Sequence, residues 1–311
     1  MSGWRAGLVA AAVGGLILIV GIIVHAVGGD DGGPGTTTTA AAGDVTLACV
    51  PALEEVCADL GATLGVAVRT FRPGTDPSGD VVVIAPLTEL PFTSDAVVLA
   101  ARSPVAIAMW RERAVILAPA CGGTITKACL EGAYGKQWGD LGGDAAWAGF
   151  KIGLADPTRS AAAMEAWRLV VGSGGVPDGL DASLRVRAAD DAALMLEVAQ
   201  FGPSRADAVI TTEVAIAGQL VNVWDVGRLE VYYPDPGPWV EYVASARGSE
   251  AERLVERLLS GEIQGRLPAL GLRPVSGDST GLPEGLGVPG QPFAPLDAAE
   301  RDTLLAAWQD L

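Results

Sequence analysis

Residues 249–275 read SEAERLVERLLSGEIQGRLPALGLRPV, and this stretch decides the fold. Ser249 is placed to cap a helix, and Glu252, three residues on, completes a capping box. Ala251, Leu254, Val255, Leu258 and Leu259 recur at helical spacing on one face, so the helix packs against something larger. Gly261 is expected to stop it. A second short turn over 262–270 follows, kinked at Pro268 because proline removes a helical hydrogen bond. Gly271 closes that turn and leads into Leu272-Arg273-Pro274-Val275.

Upstream, strand and helix patterns alternate. Strands are predicted over 45–49, 65–71, 80–85, 151–154, 208–212 and 229–233, with extended chain over 96–101 and 104–109. Helices are predicted over 51–60, 157–171, 189–200 and 213–220, and the tryptophan-rich stretch 138–147 reads as a loop or short helix. The alternation argues an α/β fold with mainly parallel pairing. Segment 276–295 is rich in Gly and Pro and is expected to lack regular structure. It ends in Asp297-Ala298-Ala299-Glu300, which opens a helix carrying Leu304, Leu305, Trp308 and Leu311 on one side. That helix is expected to dock back on its own lobe, the alternative being a handle for a partner.

Together with Leu229-Glu230-Val231-Tyr232-Tyr233-Pro234, the closure Gly261, Gln264, Leu267, Gly271, Arg273 and Pro274 resembles the C-terminal third of type II periplasmic solute-binding proteins, in particular the molybdate/sulfate-like receptors. The resemblance implies a two-lobed fold with two interlobe crossovers, one lobe over 44–107 and 225–275, the other over 108–224. It also implies that the loop 72–79 replaces the family's second helix.

Composition narrows the function. A net charge of −16 with only three lysines argues against nucleic-acid binding, which needs clustered Lys and Arg to neutralise phosphate. Residues 6–27 form an apolar run, and ~20 such residues span a bilayer. Arg5 precedes the run while Asp30 and Asp31 follow it, so one transmembrane signal-anchor over 1–27 is expected, with the remainder outside the cell. No lipobox cysteine follows, and Ala26-Val27-Gly28 is a weak cleavage signal, which favours a retained anchor. The Gly- and Thr-rich stretch 28–43 reads as a flexible tether.

Outside the cell, cysteines pair. Cys121 and Cys129 flank the turn-rich Gly122-Gly123-Thr124-Ile125-Thr126 and are expected to form a local bridge. Cys49 and Cys57 have the same spacing, but a regular helix from Pro51 would hold their Cα atoms beyond the roughly 7 Å limit, and that pairing stays open. The only histidine, His25, lies in the apolar run, so no metal site, no cofactor and no His-dependent catalytic group is expected. GxSxG and GxxxxGK[ST] are also absent, and the chain does not read as an enzyme. Asp190-Asp191 and Glu54-Glu55 read as solvated helix faces.

Ligands of open α/β sheets bind outside the carboxyl ends of strands. Asp156-Pro157-Thr158-Arg159-Ser160 follows one strand and opens a helix, with Asp156 as cap, and it is similar to the "DPxxS" turn that supplies second-lobe contacts in the family. Thr158, Arg159, Ser160 and Thr212 are therefore the candidate contacts of the second lobe. Val50, Thr88 and Ser103 are those of the first, Ser103 because the resemblance places it where the strand pair leads to the crossover. The resemblance implies a serine or threonine after the first strand in oxyanion receptors, where this chain has Cys49-Val50-Pro51-Ala52 with backbone N–H groups but no hydroxyl, so an oxyanion is not expected. Trp110, Trp138, Trp147, Phe150, Trp224 and Trp239 are expected mainly as core or hinge packing. The expected function is a membrane-tethered receptor for a small-molecule solute, working with an ABC-type permease. The alternative is a receptor-derived surface sensor or scaffold that binds a cell-surface partner.

Overall fold

The parallel triplet β2-β1-β3 starts from three short runs: β1 is Thr46–Cys49, β2 Ala67–Thr70, which alternates half-buried and exposed residues as an edge strand, and β3 Val81–Pro86. All six residues of β3 are buried, as expected of a parallel strand covered on both faces. The computed structural model describes residues 45–92, 97–222 and 228–311. The anchor, the tether and the proposed boundary at 224/225 with Trp224 lie outside the described residues. Among these no helix is long and apolar enough to cross a membrane.

Helix α1 (Glu54–Leu64) connects β1 to β2. The long strand β4 (Val97–Trp110) follows β3 as one element, where the sequence suggested two. Helix α2 (Arg111–Ala120) and the short helix Lys127–Ala133 lead to β5 (Ile152–Ala155) and α3 (Ala161–Val171). Then come β6 (Leu184–Ala188), α4 (Asp191–Phe201), β7 (Ala208–Thr212) and α5 (Glu213–Asn222). The chain continues through β8 (Leu229–Tyr232), β9 (Trp239–Arg247), α6 (Ser249–Leu258), β10 (Arg273–Pro274) and α7 (Ala298–Gln309).

The sheet runs β2-β1-β3-β9-β4-β7-β5-β6, with β8 and β10 paired to β4 off this path. Pairing is thus mixed, which corrects the expectation of a mainly parallel sheet. A parallel triplet lies at each end, and the antiparallel strands β9 and β4 join them. Strand β4 serves both halves, since Val97–Pro104 pairs with β9 while Val105–Met109 pairs with β7. The chain therefore passes between the halves once through β4 and again through the 233–238 link. Neither β9 nor β6 was expected from the sequence.

The 249–275 stretch folds for partly different reasons than its pattern suggested. Gly248, not Ser249, is the residue before the first helical turn, and no side chain caps the helix. With φ +97° and an added Cβ meeting the Asp80 carboxylate at 2.5 Å, only glycine fits at position 248. The helix ends at Leu258, and Ser260 caps the next short helix, Gly261–Gln264, so Gly261 starts an element instead of stopping one. Pro268 does not kink a helix; it sits in the first turn of a separate 3-10 helix, Leu267–Leu270. Gly271 does close that turn, at φ +77° and against Ala217, whose Cβ lies 2.2 Å from where a side chain would begin.

The remaining motif residues are fasteners. The Gln264 amide donates to the Ala100 and Leu258 carbonyls at 3.1 Å and accepts from the Val275 N–H at 3.0 Å. Arg273, nearly unexposed, forms a two-point ion pair with buried Glu213 at 3.0 and 2.7 Å and donates to the Gly287 carbonyl. The Tyr233 hydroxyl also donates to Glu213. Burial raises the Glu213 pKa while Arg273 and Tyr233 pull it back, so the cluster is held by fully made hydrogen bonds.

Both disulfides form. Cys121 and Cys129 have Cα atoms 5.6 Å apart, Cys49 and Cys57 6.5 Å. The second pair comes within reach because Pro51–Leu53 is a 3-10 turn and the regular helix begins only at Glu54. Trp138, Trp167 and Phe150 are fully buried and Trp110 nearly so, in keeping with core packing.

The C-terminal helix is where the expected docking fails. Asp297 caps α7 by accepting from the Glu300 N–H at 2.8 Å, as the sequence suggested. The helix packs on α3 in the other half: the Trp167 indole donates to the Leu304 carbonyl at 2.7 Å, and the Trp167 and Trp308 rings meet edge to face at 5.2 Å. Arg168 grips Glu300 at 2.8 and 3.2 Å. Segment 276–295 crosses between the halves as a third passage, fastened at Gly237 to Gln291 and Phe293. The Trp167 and Trp308 rings supply the apolar contact that favours this docking.

Candidate solute site

A cavity of about 630 Å³ opens between the two halves. Its first wall is built from turns after β1, β2 and β3: Val50, Pro51, Ala52 and Glu54, then Phe71, Arg72 and Pro73, then Pro86 and Glu89. Its second wall is built from the turn after β5, Thr158 to Ser160, and the turn after β6, Ala189 and Asp190. Tyr242 of β9, fully buried, also borders it.

The second wall owes its shape to two helix starts. Asp156 caps a turn, accepting from the Thr158 N–H at 2.9 Å and its hydroxyl at 2.7 Å, but it does not cap α3. That helix begins four residues later than the Asp-Pro signal suggested, with Ser160 as the cap accepting from the Ala163 N–H at 3.2 Å. Asp190 likewise caps α4 by accepting from the Ala193 N–H at 2.8 Å.

Asp191 lies behind this wall with no exposure, which corrects the reading of Asp190-Asp191 as a solvated face. The two residues differ because one sits before the helix and the other inside its first turn. Asp191 accepts hydrogen bonds from the Thr211 hydroxyl and, at 3.3 Å, from Ser160. Burial raises its pKa, and these donors partly offset the rise.

One contact ties the walls together. Glu89, from the 3-10 turn Leu87–Glu89 after β3, accepts the N–H of Ala161, the first residue of α3. Burial pushes the Glu89 pKa up to about 7; the Ala161 N–H lowers it, Asp191 raises it and Arg301 of α7 lowers it. Nearby, the Tyr242 hydroxyl and Thr212 Oγ1 face one another without a hydrogen bond of ordinary geometry, and neither has another partner among the described residues. Burial, then Asp191 and Glu89, raise the Tyr242 pKa.

Of the residues singled out from the sequence, Val50, Thr158, Arg159 and Ser160 are brought together on the cavity. Thr88 is exposed on the turn beside Glu89. Thr212 is fully buried below the site, and Ser103 is also buried, its hydroxyl accepting the Val214 N–H at 3.0 Å. Sequence reasoning missed Glu89, Tyr242, Asp190, Phe71 and Arg72. Only Glu89 had a local signal, one position beyond Thr88 in the same strand-end turn.

No protein-family model and no curated protein matches the chain. Solved structures do. A protein from Bordetella parapertussis described as an extracellular solute-binding protein is 13% identical, with 87% of this chain and 99% of that one covered and a TM-score of 0.53. A periplasmic thiamin binding protein is also 13% identical, covering 86% and 95%, with a TM-score of 0.53. The Azotobacter vinelandii periplasmic molybdate-binding protein is 12% identical, covering 74% and 98%, at 0.49. The chain has the fold of the type II periplasmic solute-binding proteins.

Proposed function

We propose that the protein is a membrane-tethered, extracytoplasmic receptor whose two halves, 44–107 with 225–275 and 108–224, close on a small solute. One observation carries this reading: strand-end turns from both halves border the same cavity. Hinging occurs about β4 and the 233–238 link, and a solute favours the closed state only by touching both walls. Val50, Thr158, Arg159 and Ser160 contact it, while Thr88 stands at the rim and Ser103 and Thr212 support the walls. The apolar run 6–27 is the single-pass anchor, and an ABC-type permease is the partner that receives the solute. The reading is supported by structural neighbours that are binding proteins by description and not enzymes.

A second reading is favoured by the third passage to α7, which adds a restraint between the halves. On that reading the protein is a receptor-derived sensor or scaffold on the cell surface. Thermal unfolding of the full chain with thiamin, molybdate, phosphate and amino acids separates the two. A solute-binding protein is expected to melt higher with one of them, by roughly 2.7 kcal/mol of added stability at a hundredfold excess over Kd. A melting temperature unmoved by every solute would contradict the receptor reading and favour the scaffold.

A further inference from the structure

In the site just described, the deeper charged groups are acidic. Glu89 and Asp190 border the cavity half-buried and Asp191 is fully buried behind it, while Glu54 borders it exposed. Arg72 and Arg159 border it too, but both are exposed at its mouth, where water and salt screen their charge. The N-terminus of α3 is the natural seat for an anion, because free N–H groups and the helix dipole converge there. Glu89 already fills it, reaching across the cavity to accept the Ala161 N–H. An entering oxyanion would have to displace this carboxylate and then face Asp190 and Asp191. A cation meets a carboxylate that is already stripped of much of its water, beside the Tyr242 hydroxyl, which has no well-formed hydrogen bond, and the buried ring of Phe71.

We propose that the cavity takes an organic cation, a protonated amine or a quaternary ammonium group, with Glu89 as its counter-ion and the Tyr242 hydroxyl as a further polar contact. The inference rests on the solute-binding reading and adds the class of solute. An acidic tail on the same molecule is accommodated at the mouth by Arg72 and Arg159. The groups that face Glu89 are the Ala161 N–H of α3, Asp191 of α4, Tyr242 of β9 and Arg301 of α7. Because burial and Asp191 raise Glu89 to about 7, the carboxylate that a cation needs forms only as pH rises toward neutral.

Calorimetric titration of the full chain in detergent with choline, glycine betaine and putrescine, against molybdate, sulfate and phosphate, tests this. At least one cation is expected to bind, about tenfold more tightly at pH 7.5 than at pH 5.5, and the oxyanions are expected not to bind. Glu89→Gln keeps the size of the side chain and should weaken the cation by about tenfold or more while abolishing the pH dependence. Tyr242→Phe, which leaves the charge intact, should weaken it by a smaller factor. Circular dichroism confirms that both variants are folded. Oxyanion binding without cation binding, or cation binding indifferent to Glu89→Gln, would overturn the inference and leave the receptor reading standing. If neither panel binds, the inference falls, and the receptor reading stands or falls with the thermal-unfolding screen.

Discussion

Glu89 holds a carboxylate where little water reaches it, and its titration leaves a mark on stability. Its pKa is raised by burial to about 7, so the folded protein binds a proton in the range where the unfolded chain has released it. The resulting stabilisation is fully present below the ordinary Glu range and is lost as pH rises through about 7. Thermal melts of the wild type should therefore fall from pH 5 to pH 8 by a few °C more than those of Glu89→Gln, as about 1 kcal/mol moves a domain of this size by 2–4 °C. Glu165, Asp191 and Glu213 are raised in the same direction by burial but remain in both proteins, so the difference isolates Glu89. Equal slopes would mean that Glu89 titrates as a solvated group. At this scale the sequence was half legible. Thr158, Arg159, Ser160 and Val50 were readable because strand-end turns carry their own chemistry. Tyr242 was not, since its role depends on a strand whose partners β3 and β4 are more than a hundred residues away in sequence.

Helices and strands with local signals were found close to their observed places. Strand β7 was placed on its exact residues, and β1 and α5 differ only by one or two. The strands β6 and β9 were missed although their residues signal them: Leu184-Arg185-Val186-Arg187-Ala188 alternates apolar and charged, and β9 opens with Trp239, Val240, Tyr242 and Val243. Caps were also misassigned by a few residues, because Asp156 and Ser249 satisfy local rules that Ser160 and Gly248 satisfy in the folded chain. The docking of α7 belongs to this scale as well. Its amphipathic pattern was legible, but its target was not, since nothing in a helix names the surface that receives it. Trp308→Ala should remove the ring against Trp167 and cost about 3–5 kcal/mol if α7 unfolds with the rest. Hydrogen exchange is the measurement that decides: amides of α7 and the exposed face of α3 should lose protection first. Unchanged protection in both would show that the docking contributes nothing to the fold.

The described region from residue 45 onward is two parallel triplets held by a pair of antiparallel strands, with a cavity where their helices begin. Three passages of chain join the halves, and the Glu213–Arg273 pair with Tyr233 fastens the return of the third beside β8. On the proposed reading the hinge lies at β4 and the 233–238 link, and the third passage limits how far it opens. Overall architecture was legible from the 249–275 stretch, where Gly271 closes a turn against Ala217 and Arg273 pairs with buried Glu213. The central claim is that one solute touches both walls at once. Hydrogen exchange of the full chain, with and without the solute that raises its melting temperature, tests this most directly. The account expects protection to rise together at 50–54, 70–73 and 86–89 of the first wall and at 158–163 and 189–191 of the second. Protection confined to one wall, or appearing away from the cavity, would contradict it.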